Sequence, residues 1–162
     1  MDAVLGSLLA DSASTLGAGL EASLLAHDTP HYRGASPGVV RARCDRLVAA
    51  FVAAARLADA QPFERYVRGI VAERVAEGFA LREVQQALSA LEALVWPLAV
   101  AAGGDTDSVV RRLALVTGIV GRGKDELARA FLDEAERADA QVARLQQRLD
   151  ALFKGTEPPP TV

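Results

Sequence analysis

The sequence predicts an all-α fold, and three observations carry that prediction. Hydrophobic residues make up 51% of the chain and are mostly Ala, Leu and Val, with only 5% aromatics. Such side chains favour helix over sheet and let helices pack closely through small knobs. Apolar residues recur three and four positions apart in segments punctuated by Pro and Gly, the periodicity of helices with one buried face. Beyond Gly123 the spacing settles into alternating steps of three and four through Ala128, Phe131, Ala135, Ala138, Val142, Leu145, Leu149 and Leu152, the repeat of a coiled-coil seam.

Residues 2–26 carry Val4, Leu5, Leu8, Leu9, Leu16, Leu20, Leu24 and Leu25 at helical spacing, and Gly17 and Gly19 weaken the centre, so one kinked helix or two short ones are expected. The turn formers from His27 to Pro37 predict the longest loop. At its end Ser36 is an expected cap, with Pro37 at the first helical position. The helix that follows, to about Ala58, should bury Val40, Cys44, Leu47, Val48, Phe51 and Val52 and turn Arg41, Arg43, Asp45 and Arg46 away.

Pro62 opens the next helix, with a stripe of Phe63, Tyr66, Val67, Ile70, Val71, Arg74 and Val75 and a left-handed stop at Gly78, after which Phe79 packs back. Residues 81–102 repeat the pattern through Leu81, Val84, Leu88, Leu91, Leu94, Val95 and Leu98, with Pro97 expected to bend or break the helix and Gly103-Gly104 to end it. Asp105 or Asp107 should cap a further helix, in which Gly118, Gly121 and Gly123 allow either close helix contact or a hinge, before a linker helix over 124–153. The Pro-rich residues 154–162 read as a disordered tail, which leaves one domain over 1–153.

Composition excludes several functions. A net charge of -3 with interspersed signs lacks the footprint of a nucleic-acid binder. The most apolar stretch, 91–102, holds Glu92 and Pro97 and falls short of the about 20 residues that span a bilayer, so no membrane is expected. No signal peptide is read at the N-terminus, and the single Cys44, a buried thiol in this reading, suits a reducing cytoplasm. One Cys and two His are too few for structural zinc. No Glu is followed by His at the spacing of a di-iron bundle. His27 and His31 share one polar loop, away from any nucleophile they could activate. Gly118 to Lys124 lacks the spacing of a phosphate loop. No catalytic residue, cofactor or metal is therefore expected.

Two features invite a ligand. Arg74 lies on an apolar stripe, either paired with Glu73 and Glu77 or facing an anion in a pocket. Leu88, Leu91, Val95 and Trp96 could line a space between helices for a small apolar molecule such as a fatty acid, although core or interface packing is the favoured reading of Trp96. Tyr32 and Tyr66 read as core tyrosines with a hydroxyl to satisfy.

The order of segments resembles a known family. The run from His31 to Pro37, the stretch Pro62 to Val67, and above all Glu73 to Val84, where Arg74, Gly78, Phe79, Leu81 and Glu83 stand at a helix-turn-helix, look like the amino-terminal domain of the stressosome RsbR-type co-antagonists. The likeness spans residues 25–150. It implies a globin-like helical bundle that binds no haem, dimerises, and joins a signalling domain through a long carboxy-terminal helix. In such proteins an output domain follows that helix, whereas this sequence stops soon after it, leaving a stand-alone regulator or an isolated sensor domain as alternatives.

The expected function is thus a non-enzymatic sensor or regulatory domain, a homodimer whose seam of Phe131, Ala135, Ala138, Val142, Leu145, Leu149 and Leu152 relays a signal to a stress-response or kinase partner. An apolar-ligand protein is the alternative. An enzyme would require carboxylates from different helices to converge in a cleft.

Overall fold

The computed structural model describes residues 3–154, which form seven helices and no strand. They are α1 (Ala3–Asp11), α2 (Ala13–Ala26), α3 (Pro30–Gly34), α4 (Pro37–Leu57), α5 (Gln61–Ala76), α6 (Leu81–Ala101) and α7 (Thr106–Lys154). The predicted tail from residue 155 onward lies outside the described residues.

The helices enclose one aliphatic core. α6 and α5 both pack along the first half of α7, α2 lies against α4 and α6, and α1 closes one end over α4. Leu9, Leu20, Val40, Phe51, Phe63, Val67, Leu91, Val95, Val116 and Leu127 are fully enclosed. The predicted inner faces of α4 and α5 are the buried ones, including Cys44. Burial of this apolar surface, at about 25 cal/mol per Å², is what holds helices of modest intrinsic stability together.

Several boundaries differ from the sequence reading. The first segment forms two short helices, one of the two expected alternatives, but it breaks at Ser12, and Gly17 and Gly19 sit inside α2. The predicted loop over 27–37 contains α3, whose Tyr32 is buried in the core, so packing overrides the local turn propensity. Ser36 occupies the cap position of α4 but its hydroxyl makes no cap bond; its carbonyl instead accepts the Val39 and Val40 N–H groups at 3.0 and 3.1 Å. α4 stops through Ala58 in the left-handed region (φ 51°), a stop that no glycine announces. α6 continues past Pro97 to Ala101, because an exposed proline near a helix end forfeits only one backbone bond.

The largest difference is α7. No hinge interrupts it at Gly118, Gly121 or Gly123; it is one helix of 49 residues, about 74 Å long at 1.5 Å per residue. Gly123 serves close packing: a Cβ there would lie 2.5 Å from Phe63 Cε1 on α5. The packed half of α7 is tied down by charge as well. Glu126, buried, accepts from Arg68 Nε at 2.5 Å, and Lys124 pairs with Glu92 of α6 at 3.0 Å. Asp105 caps the start, accepting the Ser108 N–H at 2.8 Å.

By length and composition α6 could cross a membrane, with a mean hydropathy of 1.3 over its most apolar window. The shorter stretch considered from sequence understates it. In the fold α6 is a packed helix between α2 and α7, and its apolar residues Leu88, Leu91 and Val95 are enclosed by them.

Candidate functional site

The densest polar cluster in the interior surrounds the α5–α6 turn. Gly78 takes φ +85°, and the Gly78 and Phe79 N–H groups donate to the Val75 and Arg74 carbonyls at 3.0 and 2.9 Å. This paired closure of a helix end around a left-handed residue favours glycine. It delivers Phe79 inward, where the ring stacks obliquely on His31 at 4.8 Å and edge-on to Tyr32 at 5.0 Å between centroids. The guanidinium carbons of Arg43 and Arg74 each lie 5.4 Å from the Phe79 ring centre, within cation–π range.

Both arginines are held from the solvent side by α5 carboxylates. Arg43 donates twice to Glu77, at 2.6 and 2.7 Å, and Arg74 reaches Glu73 at 3.0 Å and Glu77 at 3.4 Å. Arg74 is 2% exposed. The intramolecular pair expected for Arg74 therefore forms, with Arg43 as an added member that helical spacing had turned away from the core.

Glu83 locks the other side of the turn. It is buried and accepts the His31 backbone N–H at 3.0 Å, the His31 ring at 2.7 Å and the Ala80 N–H at 3.1 Å. A carboxylate only accepts, so His31 Nδ1 carries the proton in this contact. Burial pushes the Glu83 carboxyl upward, but the His31 and Ala80 N–H groups and the His31 ring outweigh it and hold the group below the usual carboxylate range. Ala80 has no side-chain oxygen to return the favour, so only the glutamate half of a capping box operates.

Next to this cluster is a small, partly open cavity of about 10 Å³. Arg43, Arg74, Tyr32, Cys44 and Tyr66 bring polar atoms to a wall otherwise formed by aliphatic residues such as Leu88. Burial pushes both the Tyr32 hydroxyl and the Cys44 thiol up to about 12, and it also raises Tyr66. All three are protonated at neutral pH and can donate.

Of the residues read from sequence as a ligand pocket, Arg74 and Leu88 share this cavity. Leu91 and Val95 are packed solid at 0% exposure. Trp96 does not join them: it is 45% exposed, because one helical step beyond Val95 rotates it about 100° off the inner stripe. It lines a wide, open groove on the outside of α6 with Ala93, Pro97 and Val100.

The predicted seam is presented by the far half of α7. Phe131 is half-buried against the core, and from Leu132 to Leu152 every side chain but Glu134 is exposed. Val142, Leu145, Leu149 and Leu152 are each at least half exposed, at 52%, 50%, 53% and 69%. Ala135 and Ala138 continue the same face.

Sequence reasoning missed the anchoring roles of Arg43, Arg112 and Glu126. Arg112 is buried and donates to the Ala99 carbonyl at 2.9 Å and to that of Gly103, closing the end of α6. Its only sequence signal is a basic residue among apolar ones shortly after a Gly-Gly stop. Among the described residues no three His, Cys, Asp or Glu side chains are grouped to hold a metal ion. No protein-family model, curated protein or solved structure matches the chain.

Proposed function

We propose that the chain is a non-enzymatic sensor or regulatory domain, a globin-like helical body that pairs with a second copy through the far half of α7 and relays its state along that helix to a stress-response or kinase partner. One observation carries this reading. Past Leu132 the helix leaves the body with an apolar stripe of Val142, Leu145 and Leu149 that no other described residue covers. An isolated helical extension with water on all sides gains nothing from such a stripe, whereas two copies bury it between them. Counting from Ala135 as position a, Val142 and Leu149 fall at a and Leu145 and Leu152 at d, an arrangement compatible with two strands.

The resemblance at Arg74, Gly78, Phe79, Leu81 and Glu83 supports the sensor part, since these residues build the turn that joins α5 to α6 and turn Phe79 and Glu83 inward. The cytoplasmic, non-haem setting follows the same resemblance and the lone buried thiol. Sedimentation of the full chain at micromolar concentration should give a dimer, and Leu145→Asp with Leu149→Asp should give a monomer with the same helical body. A monomeric parent, or a dimer indifferent to those changes, refutes the relay.

The apolar-ligand alternative has the groove beside Trp96 in its favour. Fluorescence of that single tryptophan would respond to a fatty acid bound there and stay unchanged if the groove takes none.

A further inference from the structure

We propose that the small cavity between α4, α5 and α6 is a binding site for one small monovalent anion of halide size, held between Arg43 and Arg74. The two side chains line the same cavity and are at least nine-tenths buried, and the Nε atom of each is buried without any hydrogen-bond partner. One terminal nitrogen of each is engaged by Glu73 or Glu77 on the solvent side, and the Nε–H groups are the buried donors without a partner. An unsatisfied guanidinium donor in the interior is costly, which makes an occupant that accepts from both favourable.

The other polar side chains on the wall, Tyr32, Tyr66 and Cys44, are protonated at neutral pH and add neutral donors to the same cavity. No carboxylate lines the cavity, so a cation finds no ligand there. Size narrows the choice further. A volume of about 10 Å³ admits one water-sized particle, which excludes carboxylates, phosphate and sulfate. A water can accept from both arginines and donate to the tyrosine oxygens, but it brings no charge to face the two guanidiniums. A monatomic anion accepts from all of them through charge-assisted bonds.

Crystals of the full chain in sodium bromide test this directly: an anomalous peak between the Arg43 and Arg74 Nε atoms is expected. In solution, chloride or bromide should raise the thermal midpoint above that in acetate at equal ionic strength, by about 3–6 °C where occupancy favours folding tenfold. Arg43→Met, nearer the surface and therefore gentler than a change at Arg74, should abolish that difference. A water without anomalous signal in the cavity, or a halide effect that survives unchanged in Arg43→Met, overturns the assignment.

Discussion

Alanine substitutions at two glycines of α7 should move stability in opposite directions. Gly118 and Gly123 are both internal to one continuous helix, so either change removes the same backbone freedom and adds about 1 kcal/mol of intrinsic helix preference. At Gly118 a Cβ meets nothing within 4 Å, and that gain should appear nearly whole. At Gly123 it would sit 2.5 Å from Phe63 Cε1 and 2.8 Å from Cδ1, about 1 Å inside normal carbon contact. Phe63 has no room to retreat: its ring is 0% exposed and packs edge-on to Phe51 at 5.8 Å. Overpacking of this kind costs about 1–3 kcal/mol. In the difference between the two variants the helix contribution cancels, so about 1–3 kcal/mol of clash should remain. Urea unfolding followed by circular dichroism reads it as a shift in midpoint at constant slope. Equal stabilities for Gly118→Ala and Gly123→Ala would refute the close approach of α5 and α7, and with it the reason α7 carries a glycine there.

Other consequences follow from the buried polar anchors. Glu83→Ala strands the His31 and Ala80 N–H groups and should destabilise by about 3–5 kcal/mol, measured by the same unfolding; a loss under about 1 kcal/mol would show that the turn closes without its carboxylate. Because Glu83 and Glu126 are held below the usual carboxylate range, their stabilisation is fully present above their unfolded values and is lost as pH falls through the folded ones. Stability should therefore drop below about pH 4, and less steeply in Glu83→Gln. Ala58→Gly relieves a left-handed alanine and should raise stability by about 1 kcal/mol, whereas no change would indicate that α4 ends differently. Arg112→Met leaves the Ala99 and Gly103 carbonyls without that guanidinium and should cost about 2 kcal/mol, with faster amide exchange at the end of α6 as the local sign.

The inward faces of α4, α5 and α6 were legible in sequence because a three-and-four stripe states which side of a helix is buried, and Val40, Phe51, Val67 and Leu91 obey it. Gly78 was legible for a similar reason, since the end of a stripe followed by glycine has a local backbone meaning. Arg43 was not. Periodicity assigns a charged residue to the outer face, and only the approach of Glu77 and Phe79 from a neighbouring helix and turn makes an inner position tolerable. Trp96 fails the other way: its size suggests a core or pocket residue, but a rotation of one helical step puts it outside.

The glycines of α7 mark the same division. In sequence Gly118, Gly121 and Gly123 read as either a hinge or a close helix contact; in the fold α5 and α6 supply the packing that carries the helix through them, and Gly123 is the close contact. What the sequence by itself determined is the local content: helices, their buried stripes, and a heptad face on the last of them. Tertiary structure alone decided which charges enter the interior, which glycines bring helices together, and that the heptad face projects beyond the body. Those outcomes depend on contacts between residues distant along the chain, and a one-dimensional pattern of apolar spacing does not encode them.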